Sequence, residues 1–196
     1  KKSFMKKKTI KRIILFASGS GTNVENIINY YKVNTEVKIV TVFTNNPMAG
    51  VIDRISPTKI PIKILDKTEL NNGTLKDQID ILDPDLIVLA GFLLKIPFDF
   101  TRTFNGKIIN IHPALLPKHG GKGMYGNRVH QSVKEARDPE TGITIHHVNE
   151  HYDKGSIIFQ AKVEISSQDS IEQIANKVHQ LEYEHYPQVI DKILFP

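Results

Sequence analysis

Three stretches of the chain carry side chains of the types that do chemistry. The first, Ser18-Gly19-Ser20-Gly21-Thr22-Asn23, separates the apolar run Ile13-Ile14-Leu15-Phe16-Ala17 from a helical stripe at Val24, Ile27, Ile28 and Tyr31. Glycines there let backbone amides close on an anion, and the positive end of the following helix stabilises it. The dinucleotide fingerprint Gly-x-Gly-x-x-Gly fails at Val24, and no Gly-Lys-Ser/Thr follows, so the loop suits a phosphate monoester better than a dinucleotide. A tight turn with Thr or Asn capping the helix uses the same residues. The second stretch is Asn110-Ile111-His112-Pro113-Ala114-Leu115-Leu116-Pro117. Strand alternation puts Asn110 and His112 on one side, where an amide donor beside an imidazole can stabilise a developing oxyanion and move a proton. The third is His146-His147-x-Asn149-x-His151-Tyr152-Asp153. Adjacent strand histidines face opposite ways and the spacing fits no zinc pattern, so no metal is expected. A carboxylate at Asp153, brought near His112, is expected to raise the imidazole pKa.

These motifs fall just after short apolar runs, which fixes the elements that must position them. Strands are expected at 13–17, Val37 to Phe43, Ile60 to Leu65, Leu86 to Ala90 and Lys107 to Ile111. Helices are expected between them at 24–31, near 49–55 and over 75–82. Such alternation implies an α/β fold: a Rossmann-like, mostly parallel sheet with helices on both faces, its ligands at the carboxyl ends of the strands. The second half changes character. Leu115 to Asn127 reads as a long functional loop and Val129 to Ala136 as a short helix. Ile143 to Val148 and Ser156 to Ile165 read as C-terminal strands, and Ser170-x-x-Gln173 caps a last helix. Nothing reads as a linker.

The charge balance is uneven. Of 26 basic residues seven lie in residues 1–12, which contain no acid, leaving 19 basic against 21 acidic residues in the remainder. A basic tail can bind nucleic acid, but a body without a basic surplus favours a solvated leader over residues 1–11. No run approaches the ~18 apolar residues of a spanning helix, and no apolar segment of the ~7–15 residues typical of a signal peptide follows the charges. A cytoplasmic protein binding neither nucleic acid nor membrane is expected. With no cysteine, disulfides, thiolate nucleophiles and Cys-based zinc sites are excluded.

The motifs together resemble the phosphoribosylglycinamide formyltransferase family, within the folate-dependent formyltransferase superfamily. The matching pieces are the 18–23 loop, Phe43-Thr44-Asn45, Leu89-Ala90-Gly91-Phe92, Asn110 to Pro117, and Tyr152-Asp153-x-Gly155 followed by Gln160-Ala161, in order across nearly the whole chain. The Asn-x-His-Pro-x-Leu-Leu-Pro segment is shared across the superfamily, and the Gly-Thr-Asn loop points to the glycinamide ribonucleotide branch. The length fits a single formyltransferase domain over 1–196, without the added domains of methionyl-tRNA formyltransferase or formyltetrahydrofolate deformylase.

The resemblance implies transfer of the formyl group of 10-formyltetrahydrofolate, a co-substrate, to the glycinamide amine of a ribonucleotide in purine synthesis, by direct amine attack and without a metal. By resemblance, Asn110 and His112 stabilise the tetrahedral oxyanion, and Asp153 holds and charges His112. Gly21, Thr22 and Asn23 grip the substrate phosphate, and Glu182 contacts its ribose or glycinamide part. Leu93, Leu94, Lys95, Ile96 and Asn110 line the folate pocket, with Lys95 one place away from an arginine common in the family. The loop 118–127 reads as a flap over the folate side, and His130 as a contributor or a packing residue. A monomer or weak homodimer is expected. Two rivals keep part of the pattern: a formyltransferase for another amine, such as an amino-sugar nucleotide, needs no Gly-Thr-Asn loop, and a silent phosphate-binding module needs no Asn110, His112 and Asp153.

Overall fold

The computed structural model describes residues 10–196. Most of the expected basic leader lies outside the described residues. Its last residue does not behave as leader: Lys11 opens the first strand, β1 (Lys11–Phe16), and pairs with Asp85 at 3.3 Å. Arg12 follows in the strand, its backbone N–H donating to Asp85 and its Nε to the Leu82 carbonyl, both at 2.8 Å. A strand at the sheet's centre needs its polar edge anchored, and Asp85 supplies the partner.

The other strands are β2 (Val37–Thr44), β3 (Ile62–Ile64), β4 (Leu86–Leu89), β5 (Ile108–His112), β6 (Glu140–His147) and β7 (Ile157–Glu164). They form one sheet in the order β3-β2-β1-β4-β5-β6-β7. Pairing is parallel from β3 to β5 and antiparallel for β5–β6 and β6–β7, as expected of a mostly parallel sheet with antiparallel strands at its C-terminal edge. The strand order reverses between β1 and β4, so a crevice opens at their carboxyl ends.

Both faces are covered. Ile13 and Leu15 point into a core shared with α1 (Thr22–Tyr31), α2 (Val51–Ile55) and α7 (Ile171–Leu194), while Ile14 and Phe16 point into a second core. The second is closed by α3 (Lys67–Asn71), α4 (Thr74–Leu82) and α5 (Phe98–Thr103). A two-faced interior is why β1 and β4 read as unbroken apolar runs. The helix α6 (Asn127–Ala136) packs beside α7.

The structure corrects the expected elements in three places. The third strand pairs only over Ile62–Ile64, at the sheet's edge. Helix α3 is additional, nucleated by a capping box between Asp66 and Glu69. Helix α5 is also additional; its sequence, Phe-Asp-Phe-Thr-Arg-Thr, has poor helix propensity, and burial of Phe100 against Phe16 and Phe104 holds it. The cap expected at Ser170 and Gln173 is present. Buried Tyr186 donates its hydroxyl to the Leu89 carbonyl at 2.8 Å, tying α7 to the crevice end of β4.

Candidate active site

The polar residues of β5 owe their positions to the antiparallel register with β6, which sets Asn110 opposite His146 and His112 opposite Thr144. The Thr144 hydroxyl donates to the Ala114 carbonyl at 2.7 Å and accepts from Leu116 N–H at 3.0 Å and Gln160 Nε2 at 2.9 Å. One buried hydroxyl therefore locks the Pro113–Pro117 turn against β6 and β7, which gives Gln160 of the matching motif its structural use. In its ring, His146 donates Nδ1–H to the His147 carbonyl at 2.8 Å, leaving Nε2 to accept the Asn110 amide at 3.2 Å.

Beyond β6 the chain turns back so tightly that any side chain at Gly155 would strike the His147 carbonyl. Within this turn Asp153 takes a left-handed backbone, φ 53°, which Asp tolerates better than most residues. Its carboxylate lies 3.6 Å from His112 Nδ1 and 3.6 Å from His146 Nε2, and accepts the Gly121 N–H at 2.8 Å. Asn110, His112 and Asp153 are thus brought together, and His146, which its sequence context suggested only as a rejected metal ligand, joins them. Among the described residues no group of three or more His, Cys, Asp or Glu is arranged to hold a metal.

Electrostatics refine one expectation. Burial pulls the His112 imidazole below its ordinary range; Asp153 and the His119 carbonyl oppose that shift. Asp153 acts in the expected direction, but His112 is only 3% exposed and desolvation outweighs it. For Asp153, burial pushes the carboxyl up, yet His146, His112 and the Gly121 N–H together hold it below the usual carboxylate range.

Two cavities meet here. The first, about 330 Å³, is lined by Leu93, Leu94, Lys95 and Ile96, by Asn110, His112 and Asp153, and by loop residues 121–125. The expected folate-lining segment and the expected flap thus share one cavity with the polar cluster. The second, about 270 Å³, is lined by Gly21, Thr22, Asn23 and Glu182, with His130 and His179. Gly91, Leu93, Ile111 and Tyr125 line both.

The second cavity is built on backbone. Gly21 stands at the N-terminus of α1 with φ 75°, and a methyl group there would collide with Val51. The Ser18 hydroxyl donates to Asn45 and accepts Leu93 N–H at 2.9 Å, and the Ser18 N–H donates to the Gly91 carbonyl at 2.9 Å, binding the loop to the 43–45 and 89–92 motifs. From the opposite side, the Glu182 carboxylate accepts the Asn23 amide at 3.0 Å. Burial lifts that carboxyl to about 7, against the amide, which favours the ionised form. His130 faces His179 edge-on at 6.3 Å, and burial, assisted by His179 and His112, drops its pKa to about 4. The side chain read as a contributor or a packing residue is both buried and part of the cavity wall.

Comparison with known proteins agrees with this geometry. The formyl transferase family model matches residues 11–190. Phosphoribosylglycinamide formyltransferase of Haemophilus influenzae is 38% identical over 187 residues, spanning 92% of this chain and 86% of that protein. The Bacillus subtilis protein of the same name is 35% identical over 191 residues, spanning 94% and 95%. The crystal structure of phosphoribosylglycinamide formyltransferase from Bacillus halodurans superposes with a TM-score of 0.85 at 34% identity, covering 94% of this chain and 96% of that one. The chain belongs to the formyl transferase family.

Proposed function

We propose that this chain transfers the formyl group of 10-formyltetrahydrofolate to the amine of phosphoribosylglycinamide, a step of purine biosynthesis, with residues 1–196 acting as one formyltransferase domain. The observation that carries the reading is the junction of the two cavities: the polar cluster of Asn110, His112 and Asp153 lines one, and the glycine loop with Glu182 lines the adjoining one. A formyl donor in the first and a phosphorylated amine in the second meet at β5.

The acceptor brings its own nucleophile, so no covalent enzyme intermediate is needed. The amine lone pair attacks the formyl carbon, a C–N bond forms, and the carbonyl π pair moves to oxygen. The Asn110 amide faces the charge that develops there, and the His112 ring adds to its stabilisation once Nδ1 has taken a proton. His112, beside Asp153, is placed to receive the proton the new ammonium sheds and to pass it to N10 of the folate as the C–N10 bond breaks. The formylated amide and tetrahydrofolate leave, and the charges balance. Holding both substrates across a shared wall supplies the rest by orientation.

Gly21, Thr22 and Asn23 take the phosphate by backbone amides at a helix N-terminus, and Glu182 takes the ribose or glycinamide part. Leu93, Leu94, Lys95 and Ile96, with Asn110, take the folate. The chain works on small molecules as a monomer or weak homodimer in the cytoplasm; among the described residues no helix is long and apolar enough to cross a membrane.

The test is a steady-state absorbance assay of both substrates with a no-acceptor control. Acceptor-dependent loss of the formyl donor is expected. Turnover without acceptor means deformylation instead, and folate binding without turnover means a different amine.

A further inference from the structure

A catalytic imidazole must present the right nitrogen to the reacting atoms, and the group bonded to the other nitrogen decides which one that is. In His112 that group is a backbone carbonyl. Nε2 lies 2.8 Å from the His119 oxygen; a carbonyl only accepts, so Nε2 carries the proton and Nδ1 is the nitrogen turned toward Asp153. His112 and Asp153 line the first cavity, whereas His119 lines neither ligand cavity, so the anchoring bond runs behind the ring.

The anchor is itself held. His119 has φ 55°, in the left-handed region that a residue with a Cβ enters only under constraint. Its ring supplies the constraint: Nε2 lies 2.8 Å from Asp138 Oδ2 and Nδ1 lies 2.8 Å from Ser132 Oγ on α6. The carboxylate only accepts, so Nε2–H donates to it, and Nδ1 accepts the Ser132 hydroxyl proton. Lys118 completes the surroundings at 3.2 Å from the other Asp138 oxygen. The His119 hydrogen bond holds the Asp138 carboxyl below its usual range, with Lys118 assisting and burial opposing.

The structure assigns His119 a positioning role: its side chain, gripped between Asp138 and Ser132, aims its own carbonyl at His112 Nε2 and so fixes Nδ1 as the working nitrogen. The assignment of a catalytic effect rests on the proposed role of His112; the fixing of the ring does not. Relative to the catalytic cluster, His119 acts only through His112.

The test reads the ring directly. Selective ¹⁵N labelling of histidine, at a pH of about 8 where imidazole is neutral, reports which His112 nitrogen is protonated. The wild-type protein is expected to show Nε2–H as the dominant form. In His119→Leu both His112 resonances should move toward the averaged position of a mixed tautomer. The same variant should lose about tenfold in kcat, with KM for either substrate changed less than about twofold, because the misplaced proton affects chemistry and not binding. Should His119→Leu fail to fold, Ser132→Ala and Asp138→Asn each weaken one of the two grips and should give intermediate shifts. His112 resonances identical to wild type in whichever of these variants fold overturn the proposal, as does a wild-type His112 protonated on Nδ1. Absence of formyl transfer in a wild type that shows the expected Nε2–H form would instead remove the functional reading and leave the anchor standing.

Discussion

The two cavities solve opposite electrostatic problems with opposite means. The cavity proposed to take the folate is lined by three basic side chains, Lys95, Lys122 and Arg128, besides the polar cluster on β5 and the 148–156 turn. The cavity assigned to the phosphorylated substrate has, among the described residues lining it, no lysine and no arginine. Its resources are the amides at the start of α1, two histidines whose pKa values burial lowers, and a carboxyl that burial raises to about 7. A permanent cation binds any anion that reaches it, whereas fixed amides bind only one seated correctly on a helix end. Selectivity for a phosphorylated acceptor can thus come from backbone geometry, while side-chain chemistry is kept on the other side of the shared wall.

The sharpest way to break this division is to remove the chemistry and leave the cavities. His112→Ala is expected to lower kcat by about 10³-fold, the scale of an acid–base and oxyanion group together, with the fold retained. A loss under about tenfold in the steady-state assay would move the chemistry elsewhere. Next in size is Asp153→Asn, a replacement that tolerates the left-handed backbone and can still accept Gly121 N–H. A fall of about 10²-fold is expected. Asp153 raises the His112 pKa against desolvation, so its loss should move the limb of the pH–rate profile that reports His112 to lower pH. An unmoved limb would uncouple the two residues.

How far the sequence showed this arrangement depends on what kind of signal each part leaves. Strands buried on both faces and the Ser170 cap leave apolar runs and residue pairs that can be read directly. The cluster of Asn110, His112 and Asp153 was legible from residue type plus resemblance. Its fourth member, His146, was not: only the β5–β6 register sets it opposite Asn110, and register between distant strands leaves no local trace. The His119 anchor works through a main-chain carbonyl, which every residue has, so its only clue was one histidine in a long loop. Helix α5 was hidden because tertiary burial, not propensity, forms it. Asp153 raises the His112 pKa as its charge implies, but the net shift was hidden because a sequence shows the neighbouring charge and not the depth of burial.

The Glu182 carboxyl moves from an ordinary 4.5 to about 7 on folding. A pKa raised in the folded state means the native protein binds the extra proton. Glu182 therefore adds no penalty below about 4.5, and its cost grows as pH rises through about 7, to about 3 kcal/mol. Denaturant unfolding of wild type and Glu182→Gln should show the variant gaining about that much relative to wild type between the two pH values. A constant difference would mean that Glu182 stays ionised throughout and is paired by something other than Asn23.

The smallest effect is the most specific to the division between cavities. Asn23 donates to Glu182 at 3.0 Å, and its own Oδ1 is buried with no partner, so one end of the amide is spent on α7 and the other is free for a ligand donor. Asn23→Ala removes both ends and leaves the amides of the loop in place. KM for the phosphorylated acceptor should rise about fivefold, the worth of roughly one hydrogen bond, while KM for the formyl folate stays put. The cavities meet only along Gly91, Leu93, Ile111 and Tyr125, none of which Asn23 is hydrogen-bonded to. Equal rises in both Michaelis constants would therefore show that the shared wall had moved, and that the two cavities are one mechanical unit and not two independent sites.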